Sequence, residues 1–153
     1  MTTTLRAAEC KDLDQLLPLM AALYAEDGSV PFTAAQHRRA AEQLLATPGS
    51  GKIVVVEANH ALVGYAVVTW GFSFEYGGFD AFLDEMYVAV NYRGQGLAQK
   101  MLAAVEDACH EKGVQALHLE VERANLNAQR LYRKAGFVDH DRYLFTKSLR
   151  AAP

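Results

Sequence analysis

The run Arg93-Gly94-Gln95-Gly96-Leu97-Ala98 joins a strand-like stretch to a long helical pattern, and it constrains this chain more than any other feature. Upstream, Ala81 to Val90 (AFLDEMYVAV) reads as a strand carrying two carboxylates. Downstream, Leu97, Met101, Ala104, Val105 and Ala108 recur at helical spacing through about Lys112, and Gly113 is a good left-handed stop. A helix start leaves backbone N–H groups without partners and carries partial positive charge. Glycines before it let the backbone approach an anion closely. A diphosphate is the natural guest, and Arg93 adds a cation that suits phosphate geometry. Two other phosphate loops fail. A dinucleotide fingerprint needs a third glycine where Gln99 stands, and a nucleoside-triphosphate loop needs a hydroxyl that Gly51-Lys52-Ile53 lacks. Taken alone, the run equally suits a plain glycine turn with an incidental arginine.

The rest of the chain alternates helical and extended patterns. Leu5 to Ala8 reads as a first strand. Asp12 with Gln15, and Thr33 with Gln36, look like capping boxes opening two helices. Leu13, Leu16, Leu17, Met20, Leu23 and Tyr24 form the apolar face of the first. Lys52 to Ala58 and Leu62 to Phe72 read as a hairpin about Asn59-His60. Ala116 to Val121 is a fifth strand, Asn125 to Ala135 a helix ended by Gly136, and FVDHDRYLFTKSL a closing pair of strands. This order predicts one α/β domain over residues 1–153, with mixed layers around a central sheet.

Composition narrows the function. The 153 residues are 51% hydrophobic and 22% charged, which excludes a disordered chain. A net charge of −3 without a basic stripe argues against nucleic acid as partner. No apolar run is long enough to span a bilayer, so no membrane role is expected. Cys10 and Cys109 lie in different elements, and no ligand spacing supports a metal. Two reduced thiols and the lack of a signal-like N-terminus read as cytoplasmic.

With the segment Asn125 to Phe137 added, the chain resembles the GNAT family of N-acetyltransferases in element order throughout, most tightly from about Ala81 to Phe137. Arg93, Gly96 and Ala98 match the family's R/Q-x-x-G-x-G/A loop, and Ala128, Leu131, Tyr132, Gly136 and Phe137 match its A-x-x-L-Y-x-x-x-G-F helix. The resemblance implies the GNAT fold: a mixed, mostly antiparallel sheet of six to seven strands, helices on both faces, and splayed fourth and fifth strands. It implies acetyl-CoA as co-substrate and no metal. Arg93, Gly94, Gln95, Gly96, Leu97 and Ala98 would hold the pyrophosphate. The backbone of Met86 and Val88 would pair with the pantetheine arm as an added strand does, and one of their N–H groups would stabilise the oxyanion. Asn125 would bond the arm or a nearby carbonyl, or serve as a plain helix cap. Tyr132 would bind the cofactor's sulfur end and protonate the departing thiolate.

The acceptor is expected to be a primary amine, which must lose a proton before attack. Glu120, Asp84 and Glu85 are the candidate bases. The spacing from Glu120 to Tyr132 resembles that of ribosomal-protein N-terminal acetyltransferases. Residues 72–98 resemble the diamine (spermidine/spermine and thialysine) branch, whose proposed base aligns with Asp84. Regular alternation would turn Asp84 and Glu85 to opposite faces, leaving at most one for the cleft. Glu26 and Asp27 would recognise a second positive charge, and Tyr76 would line the acceptor site. A small-molecule amine acceptor is expected; a peptide N-terminus and a non-catalytic acyl-CoA sensor are the alternatives. Family members often form homodimers.

Overall fold

A computed structural model describes residues 2–28 and 30–150. The chain packs as two compact units, one running through Glu120 and one beginning at Val121. The first holds β1 (Thr3–Ala7), α1 (Leu13–Asp27), α2 (Ala34–Ala46), β2 (Gly51–Ala58), β3 (Ala61–Ser73), β4 (Gly78–Val88), α3 (Leu97–Lys112) and β5 (Ala116–Leu119); the second holds α4 (Leu126–Lys134). Short 3₁₀ turns cover Cys10–Asp12 and Val90–Tyr92.

The five strands lie in sequence order in one sheet. β1 to β4 pair antiparallel, and β4 pairs β5 in parallel across the α3 crossover. The tight β2–β3 turn places Asn59 and His60 at φ 50° and 63°, the two positive angles that suit the twist of flanking strands. Two apolar layers hold the sheet. On one face Leu13, Leu16, Leu17 and Met20 of α1, with Ala41 of α2, pack on Ile53, Val55, Tyr65, Val67 and Tyr87. On the other, Leu97 and Met101 of α3 pack on Val56, Ala58, Val63 and Val88. The helices thus cover both faces, as a sheet buried on both sides requires.

The structure corrects three sequence expectations. Asp12 does not cap α1 with its side chain; it accepts the Glu9 N–H at 2.8 Å and a two-pronged bond from Arg6. Gln15 instead accepts the Leu62 N–H at 2.9 Å, tying α1 to β3. Thr33 likewise makes no side-chain cap. The sheet has five strands among the described residues rather than six to seven, because 137–149 adopts no strand. Period-two apolarity marks what a segment can do, but a strand also needs a partner and a buried face to fix its register. Here Phe145 and Leu149 are 90% and 89% exposed. The third correction concerns β4 and falls within the site.

Candidate active site

Helix α3 begins without a side-chain cap. Gly94 and Gly96 stand at φ 74° and 76°, a left-handed conformation costly for any residue with a Cβ. Gly96 is itself the N-cap, and Lys100 makes the first bond back to it. The amides that follow Gly96 therefore have no helical acceptor. A Cβ built at Gly94 would meet nothing within 4 Å, and at Gly96 only the Gln99 Oε1 at 4.0 Å. The glycines are thus required by backbone angle and not by crowding. Leu97 is buried in the core and Ala98 half-buried, so both anchor the loop from below. Gln95 is exposed beside them.

β4 carries the acids at a bulge. Its pairing with β3 runs Val67 opposite Glu85 and then Val68 opposite Leu83, leaving Asp84 as the extra residue. Val67 and Val68 are consecutive and face opposite sides. Their partners Glu85 and Leu83 therefore also face opposite sides, although they are two residues apart. Regular alternation fails at this point, which removes the argument that only one of Asp84 and Glu85 can serve the site.

Glu85 shares the α1 face. Its Oε1 accepts from the Tyr24 hydroxyl and its Oε2 from the fully buried Tyr65 hydroxyl, both at 2.7 Å. Burial and the carboxylate push both phenols well above their ordinary range, so they stay neutral donors. Asp84 is exposed, yet the protein packed around part of it, and then Glu85's charge, shift its carboxyl above the usual aspartate value. Among the described residues no strand pairs with β4 beyond Leu83 on the β5 side, so Met86 and Val88 have no strand partner on that edge. The Val88 carbonyl is engaged by the Arg93 Nε at 2.8 Å.

Arg93 and Glu26 meet. The Arg93 Nη2 donates to both oxygens of Glu26 at 2.8 Å. The Tyr87 hydroxyl donates to Glu26 Oε1 at 3.2 Å, and the guanidinium lies over the Tyr87 ring, 5.3 Å from its centroid. The Arg93 side chain thus turns toward α1, and Glu26 is held there with it. Asp27 ends the same helix. Tyr76 sits exposed in the β3–β4 turn with its ring against His118, 5.4 Å between centroids; His118 also pairs with Asp80 at 3.5 Å. Glu120 follows the end of β5 and is exposed. In the second unit, Asn125 caps α4 by accepting the Ala128 N–H at 3.1 Å. Tyr132 packs edge-on to Phe137, 5.7 Å between centroids, and burial raises its phenol.

A cavity of about 340 Å³ lies elsewhere, lined by Leu44, Leu45, Pro48, Lys52 and Trp70 among others, with no carboxylate in its wall. Among the described residues no cluster of His, Cys, Asp and Glu is grouped to hold a metal, and no helix is long and apolar enough to cross a membrane.

Residues 17–137 match the acetyltransferase (GNAT) family. The chain belongs to this family. It is an N-acetyltransferase. It is 30% identical over 137 residues to the aminoglycoside N(6')-acetyltransferase type 1 of Serratia marcescens, covering 88% of this chain and 90% of that protein. It is 32% identical over 112 residues to the thialysine N-epsilon-acetyltransferase of Bos taurus, covering 73% of this chain and 59% of that protein. A solved aminoglycoside N-acetyltransferase in complex with CoA shares the fold at a TM-score of 0.83 and 19% identity, covering 97% of this chain and 96% of that one.

Within this acetyltransferase, the residues that the sequence left unassigned are Tyr24 and Tyr65, the two donors to Glu85. Tyr24 showed only as one more apolar-face position of a helix. A hydroxyl aimed at a carboxylate 61 residues away leaves no local signal.

Proposed function

We propose that this acetyltransferase moves the acetyl group of acetyl-CoA to a primary amine of a small molecule, a polyamine, an amino acid or a similar compound, by direct attack in a ternary complex. The observation that supports it most is the placing of Asp84 and Glu85 at a bulge of β4, beside a strand edge that has no strand partner among the described residues and upstream of the glycine loop. The residues fit the cofactor: two glycines at positive φ and uncapped amides suit a diphosphate, and a strand edge with no strand partner suits an extended amide arm. When bound, acetyl-CoA supplies a thioester open to attack by an amine.

The chain's own groups do the rest. An ammonium with a pKa near 10 gives its proton to a carboxylate directly or through water. Asp84 is the favoured acceptor, because its raised carboxyl holds a proton better than an ordinary aspartate. Glu85 is held by Tyr24 and Tyr65 and supplies fixed negative charge beside it. Glu120 is the remaining candidate base. A backbone N–H of Met86 or Val88 stabilises the oxyanion. Tyr132, kept protonated by burial, donates to the departing sulfur. Asp27 and Tyr76 are assigned to the acceptor side. The relatives named for aminoglycoside and thialysine acetylation favour an acceptor with more than one positive charge.

Free-thiol release from acetyl-CoA, measured over a panel of diamines, lysine analogues, aminoglycosides and peptides, tests this. Turnover is expected with a small polyamine or amino compound. Tyr132→Phe is expected to lower kcat about ten- to a thousand-fold with coenzyme affinity nearly unchanged. Activity on peptides alone would overturn the small-molecule assignment, and an unchanged kcat would remove Tyr132 from the mechanism.

A further inference from the structure

Glu26, expected to recognise a second positive charge of the acceptor, pairs with Arg93 at the start of the glycine loop. It lies in the last turn of α1, where unpaired carbonyls carry partial negative charge and α1 offers no basic residue of its own. A carboxylate there needs a cation from outside, and Arg93 provides it with both Glu26 oxygens on one Nη2. The same guanidinium spends its Nε on the Val88 carbonyl and rests over the Tyr87 ring, while the Tyr87 hydroxyl returns to Glu26. Four groups from α1, the end of β4 and the first residue of the glycine loop thus close one circuit. Arg93 has five N–H donors in a rigid fork, and this circuit fixes the plane of that fork.

We propose that Glu26 is a positioning residue for the coenzyme loop: it holds Arg93, and through Arg93 the geometry of residues 94–97, rather than contacting the amine. The inference rests on the coenzyme reading of that loop given above. It follows that much of the Arg93 charge is already balanced, and that Arg93 serves a diphosphate chiefly by orienting the backbone behind it. Both side chains are just under half exposed, so the pair is worth a modest amount, and the effect should be graded rather than total.

The test measures coenzyme A affinity and the two Michaelis constants in Glu26→Gln, Arg93→Gln and the double variant, with Tyr87→Phe as a milder probe of the same circuit. Glu26→Gln is expected to weaken coenzyme binding by about three- to ten-fold and raise the KM for acetyl-CoA alike, leaving the amine KM unchanged. The double variant should be no worse than Arg93→Gln alone, since residues that act through each other are not additive. Tyr87→Phe should shift coenzyme affinity in the same direction by less. A raised amine KM with coenzyme affinity intact would overturn the proposal and return Glu26 to the acceptor. Additive losses in the double variant would also overturn it. Failure of the wild type to bind coenzyme A would be a different result: it would sink the functional reading itself, and this inference with it.

Discussion

Asp84 carries a cost that its neighbours do not relieve. Its folded carboxyl holds a proton more tightly than the unfolded one, whose ordinary value is 3.8, because surrounding protein and the Glu85 charge both disfavour ionisation. The folded state therefore binds more protons than the unfolded state, and this group weakens folding as pH rises. Below 3.8 both states are protonated and the penalty is gone. Asp84→Asn is expected to raise the Tm only slightly at pH 7.5, because solvent screens this exposed carboxyl, with the gain vanishing as the pH approaches 4, and to lower kcat at least about ten-fold. Melting curves across that range and a kcat measurement check both halves. An unchanged kcat would show that Asp84 is not the base. Retaining an acid that destabilises the fold is common where activity depends on it.

At the scale of elements, the loop before α3 is where the backbone is most specialised, with two glycines in left-handed conformation at an uncapped helix start. Gly96 holds a left-handed angle as the helix cap, and nothing crowds its missing side chain. Gly96→Val is expected to cost about 1–2 kcal/mol through backbone strain and, by shifting the loop out of its left-handed conformation, to weaken coenzyme binding by at least about ten-fold. Titration calorimetry beside a melting curve separates the two; strain with intact affinity would show that the anion sits elsewhere. This loop and α3, which spans Leu97 to Lys112 as its periodicity predicts, were fully legible in the sequence, since glycine spacing and a 3.6-residue repeat are local signals. The hairpin about Asn59-His60 was legible for the same reason. The bulge at Asp84 was not, because register depends on what β3 presents opposite. The Arg93–Glu26 pair was equally hidden, since it joins residues 67 apart, and so was the absence of strands in 137–149, whose apolar pattern says nothing about a partner.

Across the whole molecule, strand order explains why the separate features converge. β4 pairs antiparallel with β3 on one side and in parallel with β5 on the other, with α3 as the crossover. Any parallel crossover brings the helix start to the carboxyl end of the strand before it, where ligands gather in α/β sheets. Pairing with β5 stops at Leu83 and Leu119, so among the described residues the stretch of β4 that carries Glu85, Met86 and Val88 has no strand partner on the side leading to that loop. Carboxylates, strand edge and glycine loop are consecutive segments of one chain, an order that suits the proposed coenzyme site. Titration of the wild-type protein with coenzyme A tests this most directly. Saturable one-to-one heat and thermal protection are predicted, the latter reaching about 2.7 kcal/mol when ligand stands at a hundred times Kd. Absence of both heat and a Tm shift at millimolar coenzyme A would contradict the account.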